Sequence, residues 1–191
     1  MKTFELNGTA RNEFGKKAAK TLRRQELVPC NLYGLGINKT FTVKAADIQK
    51  LVVTPVVYVV KLNIDGAEQM AVVKELQFHP IKDTVLHIDF LAVDEKKPVV
   101  VAIPIRLEGH AEGVKAGGKL ALQMRKLNVK GIYTDIPEEM VIDINNLGLG
   151  KKMLVADLHF DKLEITNVKS AVVVQVKATR ASAQAATESA E

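Results

Sequence analysis

Residues able to do chemistry collect in two stretches of this chain. One is the run Leu86-His87-Ile88-Asp89-Phe90. Strand side chains alternate with period two, so Leu86, Ile88 and Phe90 point one way and His87 and Asp89 the other. An imidazole and a carboxylate are then held side by side above an apolar face. Three uses fit such a pair. It can read base edges, the carboxylate accepting from exocyclic amines while histidine donates or accepts. It can be an acid/base couple in an enzyme. It can be a surface pair with no partner. The enzyme reading wants a nucleophile, a metal set or a Gly-rich cofactor loop close by, and the sequence offers none. A spacing of two also sets the side chains adjacent, not across a substrate.

The second stretch is basic. Residues 11–24 hold Arg11, Lys16, Lys17, Lys20, Arg23 and Arg24 against the single acid Glu13, a local charge of +5. The whole chain carries +5, so the remainder is neutral. A basic segment on a neutral body suggests a local anionic partner, with Lys and Arg neutralising phosphates and releasing counterions. A solvated helix face is the alternative.

Other constellations are weaker. His79, His87, His110, His159 and Cys30 lack the spacing of metal ligands, so no metal is expected. Cys30 follows Pro29 in an apolar run, where a buried thiol is commoner than a nucleophile. Gly113 to Lys119 fits G-x-x-x-x-G-K, but Leu120 stands where Ser or Thr would hold magnesium. The following residues alternate as a strand does, so Gly117-Gly118 reads as a turn. No catalytic residue and no cofactor are expected.

The elements that must position these groups are mainly strands. Thr3–Ala10 reads as a first strand and Asn12–Gly15 as a turn. Lys16–Leu27 reads either as one helix or as a basic loop running into a short helix, broken at Val28-Pro29. Asn31–Gly34 and Lys39–Val43 are strands, and Lys44–Leu51 is a short helix. Val56–Ile64 and Gln69–Leu76 flank Asp65-Gly66, a hairpin signal. The His87/Asp89 strand follows, ending near Val93.

The charged, Pro-containing break Asp94-Glu95-Lys96-Lys97-Pro98 sets the expected domain boundary. Beyond it Val99–Leu107, Leu120–Val129, Met140–Ile144, Leu163–Asn167 and Ala171–Val176 read as strands of a small sandwich or barrel. The fold class expected is mainly β with a few short helices: an N-terminal domain over residues 1–95, an all-β C-terminal domain over 96–178, and a polar, Ala-rich, disordered tail over 179–191.

The chain has 191 residues, 47% of them apolar, enough for a core. With 5% aromatics and no Trp it is poorly equipped to bind carbohydrate or aromatic ligands. One cysteine, an N-terminus without a long apolar run, and no stretch approaching a membrane helix give the expectation of a cytoplasmic protein without membrane contact.

Several pieces resemble one family. They are Arg11, Glu13-Phe14-Gly15-Lys16, the basic run to Arg23, Pro29, Tyr33-Gly34, and above all Gln77-Phe78-His79-Pro80 with His87-Ile88-Asp89-Phe90. Gly113 to Gly118, Asp135-Ile136-Pro137 and Ala156-Asp157-Leu158 extend the likeness. The chain resembles, over about residues 1–178, the bacterial large-subunit ribosomal proteins that bind 5S rRNA, in their longer two-domain, general-stress-protein form.

The resemblance implies that the N-terminal domain is an RNA-binding β-barrel that recognises loop E of 5S rRNA, through Arg11, Lys16, Lys20, Arg23, Tyr33, Lys74, His87 and Asp89. Thr21, Lys74 and Phe78 depart from the pattern of short, single-domain members. The implied partners are 5S rRNA and the RNA and proteins of the large ribosomal subunit, with the chain present as a single copy in the cytoplasmic ribosome. A stress-linked accessory protein that binds RNA off the assembled ribosome would have the same sequence features.

Overall fold

The structure, a computed structural model, describes residues 1–160 and 162–179. The tail expected at 179–191 lies, apart from Thr179, outside the described residues. The chain divides into two compact units. Met1–Val101 with Gly131–Glu138 form the first, and Ala102–Lys130 with the chain from Glu139 onward form the second.

The first unit is built on β1 (Lys2–Ala10), α1 (Lys16–Arg24), β2 (Leu27–Gly34), β3 (Ile37–Lys44), α2 (Ala45–Val53), β4 (Tyr58–Ile64), β5 (Ala67–Phe78) and β6 (Val85–Ala92). Its six strands form a closed barrel in the order β1-β3-β2-β6-β5-β4. Closure comes from the parallel pairing of β1 with β4, Lys2 opposite Tyr58 through Gly8 opposite Ile64. A closed barrel leaves no edge strand for another chain to pair with.

Alternate residues fill the interior. Leu6, Cys30, Leu32, Phe41, Val60, Leu62, Ile88 and Phe90 are each 1% exposed or less. The Phe41 and Phe90 rings pack tilted, 5.7 Å apart. Asp65-Gly66 does turn β4 into β5. Both residues are left-handed, with φ 49° and 88°, as the tight turn matching strand twist requires.

Two sequence expectations need correction. β2 runs through Pro29 instead of starting after it. Pairing of β2 with β6 begins one residue later, Cys30 opposite Ile88, so the missing proline N–H removes no bond from that ladder. In the second half, the single strand expected at 120–129 is two, β8 (Lys119–Leu122) and β9 (Lys126–Gly131). Between them the chain changes sheets: the Gln123 and Met124 amides donate to the Val173 carbonyl, and the Arg125 carbonyl accepts from Ile105.

The rest of that half comprises β7 (Val99–Glu108), a helical turn α3 (Glu112–Lys115), β10 (Met140–Asp143), β11 (Lys152–Leu154), β12 (Glu164–Ile165) and β13 (Val172–Lys177). They form two sheets, ordered β10-β7-β9-β12 and β11-β13-β8. The glycine-rich loop spends its amides inside the protein: Gly113 donates to the Leu147 carbonyl and Gly118 to that of Gly113. A Cβ at Gly113 would sit 2.5 Å from the Gly148 backbone, so this glycine is explained by close packing. Lys119 opens a strand, not the helix a phosphate loop needs.

Candidate nucleic-acid interface

The alternation expected of β6 is present. Ile88 and Phe90 are fully buried, while His87 and Asp89 lie on the opposite, outer face and keep 18% and 24% of their side-chain surface. Leu86, expected inside with them, is only partly buried.

Strand pairing then draws a polar row across the outside of the barrel. Asp89 is opposite Asn31 of β2 on one side and Glu75 of β5 on the other. Asn31 is opposite Thr40 of β3, and the Thr40 carbonyl accepts from the amide of Arg11 just past β1. One row therefore reads Arg11, Thr40, Asn31, Asp89, Glu75. His87 stands in the neighbouring row, opposite Gln77. The rows between are apolar and buried: Phe41, Cys30 and Ile88 are all 0% exposed.

Within this set His87 Nδ1 lies 3.5 Å from Asp89 Oδ1. Burial lowers the His87 pKa, Asp89 pulls it partly back up, and Arg11 and Arg23 push it further down. The imidazole is thus held neutral at physiological pH, with one N–H to donate and one nitrogen to accept. Tyr33, 37% exposed on β2, has its phenol pKa raised by burial and then by Asp89 and Glu75. Burial pushes the Cys30 thiol beneath the row up to about 12, so it stays protonated and inert.

The basic segment resolves into a single helix. Gly15 precedes α1 with φ 98°, a conformation that L side chains rarely adopt. Ala18, Ala19 and Leu22 are half-buried, and α1 packs on β2. The cations Lys16, Lys17, Lys20, Arg23 and Arg24 are all exposed. Lys16, Lys20 and Arg23 or Arg24 recur at helical spacing and so form one stripe. Arg23 ties the helix to β6, its Nε donating to the Leu86 carbonyl at 3.0 Å.

The structure therefore brings together all but one of the residues named from sequence, directly or through one neighbour. Asp89, Arg11 and Arg23 all act on His87, Asp89 also acts on Tyr33, and Lys16 and Lys20 share the Arg23 helix. Lys74 stands apart. It sits where the β5 register against β6 shifts, and its Nζ donates to the Val100 carbonyl at 3.3 Å. It lines a pocket with Gly34, Leu91 and Pro98. Sequence reasoning passed over Asn31. Its signal was available, since Asn31 and Tyr33 alternate with the buried Cys30 and Leu32. Arg11 Nε and Asn31 Oδ1 are both buried with no hydrogen-bond partner among the described residues.

Comparison with known proteins addresses the family of the chain. Residues 6–90 match the Ribosomal L25p family, and residues 98–180 match the C-terminal domain of ribosomal protein TL5. A protein of Porphyromonas gingivalis named large ribosomal subunit protein bL25 is 50% identical over 97% of this chain and 98% of its own length. Its namesake in Parabacteroides distasonis is 53% identical over 95% of this chain and 96% of its own. The namesake in Bacteroides thetaiotaomicron is 50% identical over 97% of both. With both halves matched in order, and relatives at half identity over nearly their full length, the chain belongs to the bacterial ribosomal L25p family.

Proposed function

We propose that this protein binds 5S rRNA at its loop E, and that the face carrying Arg11, Asn31, Tyr33, His87 and Asp89 reads it. Family membership makes the chain a structural component of the large ribosomal subunit in the cytoplasm, not an enzyme. The finer assignment rests on one observation: a histidine and a carboxylate 3.5 Å apart on the outer face of one barrel strand, flanked by a helix with five exposed cations. Residues 1–95 carry this set whole.

Roles divide by chemistry. Lys16, Lys20 and Arg23 contact phosphates, which positions the protein without specifying sequence. Asp89 accepts from an exocyclic amine or a 2′-hydroxyl, and His87 donates or accepts beside it. Side chains on a broad barrel face cannot enter the narrow major groove of regular A-form RNA. They can reach an internal loop of non-standard pairs, whose groove is open. That requirement favours loop E over a plain helix.

The test is a titration of the full chain against isolated 5S rRNA at several salt concentrations. Asp89→Ala is expected to cost about 1–3 kcal/mol at every salt concentration, as loss of a base contact does. Wild-type affinity in that variant would remove β6 from the interface.

A further inference from the structure

Phe14 is the large aromatic that the reading above leaves unused. It sits in the turn between β1 and α1 and is 65% exposed. A single exposed apolar side chain is ordinary on a protein surface. This one has two unusual features. The Arg11 guanidinium stands over its ring, 5.7 Å from the centroid. Gly15 follows in the left-handed conformation, φ 98°, that precedes α1.

Arg11 itself is anchored. Its amide is bonded to Thr40 and its Nε is buried. The ring therefore lies against a partly buried cation at the end of the polar row. Lys16 and Lys17 come two and three residues later, at the start of α1. An aromatic with a cation on one side, solvent on the other and phosphate-binding groups alongside has the composition of a base-stacking platform.

We infer that Phe14 stacks on an unpaired base of the bound RNA, with Arg11 holding the ring in place and Lys16 or Lys17 meeting the phosphate of the stacked nucleotide. The inference rests on the proposed RNA-binding reading and extends the contact surface from the barrel face to the turn before α1.

The chain has no tryptophan, so Phe14→Trp introduces a sole, site-specific fluorophore. In the full-length protein titrated with 5S rRNA, the Phe14→Trp indole is expected to lose emission as RNA is added. Phe14→Leu is expected to weaken binding about 5- to 150-fold, with the salt dependence unchanged because no charge is altered. Its melting temperature should equal that of wild type, since the side chain is exposed. Wild-type affinity in Phe14→Leu would overturn the inference. So would indole emission that RNA leaves unchanged in the Phe14→Trp protein, even with affinity lost in the Leu variant, because the ring would then act only by holding Arg11. Failure of the wild-type chain to bind 5S rRNA is a separate outcome, and overturns the whole RNA-binding reading with it.

Discussion

His87 shows how an environment can set the charge of a side chain. Burial lowers its pKa below the ordinary 6.5, against the opposing pull of Asp89. The unfolded chain then takes up a proton more readily than the folded one. Folding stability is unaffected well above pH 6.5 and falls as the pH drops from there through the folded value. Proton NMR of the free protein should give a His87 midpoint below 6.5. Urea unfolding should show a shallower acid-side loss of stability for His87→Gln than for wild type. A midpoint at or above 6.5 would mean that Asp89 offsets or outweighs burial. The pairing of His87 with Asp89 was legible from spacing alone, because period two is a local rule. The environment that keeps the ring neutral was not legible, because it depends on packing and on Arg11 and Arg23, which are distant in sequence.

At the scale of elements, α1 is arranged against its own stability. A helix N-terminus carries partial positive charge, which disfavours cations there by roughly 0.3–1 kcal/mol each and favours them at the C-terminus. Lys16 and Lys17 occupy the first turn with no acid among them, while Arg23 and Arg24 occupy the last. The two lysines are thus costly to the helix, which is intelligible where they serve a ligand. Lys16→Glu should hold or raise the melting temperature by calorimetry while weakening RNA binding. A fall in both would assign Lys16 to the fold. Arg23→Ala removes the bond to the Leu86 carbonyl, and amide hydrogen exchange in α1 should speed up while β6 stays protected. The sequence left this segment open between helix and loop because Ala18, Ala19 and Leu22 make only a thin apolar stripe. Packing on β2 and the Arg23 anchor supply what the stripe lacks. The Asp65-Gly66 hairpin, by contrast, was legible, its turn type being fixed by two adjacent residues. The parallel pairings of β1 with β4 and β2 with β6 were not, since no turn joins those strands and only barrel closure sets their register.

For the molecule as a whole, the question is which part carries the electrostatics of binding. The formal charge of the chain resides in residues 11–24. If those six cations meet phosphates, the logarithm of affinity should fall with the logarithm of salt concentration at a slope of about −4 to −5, given roughly 0.7–0.9 per phosphate contact. Lys16→Ala or Lys20→Ala should each flatten that slope by nearly one contact, across RNA sequences. Lys151 and Lys152 are equally exposed but lie in the second unit, within a half of the chain that has no comparable cluster. Neutralising both should leave the slope and the affinity for isolated 5S rRNA unchanged. The comparison separates two designs that share one net charge. In one, a basic helix and a reader strand on a single barrel do all the binding. In the other, charge spread over both halves embraces the RNA. A slope that the lysines of the second unit flatten as much as Lys16 does would establish the second and move the proposed boundary of the RNA-binding domain well past residue 95.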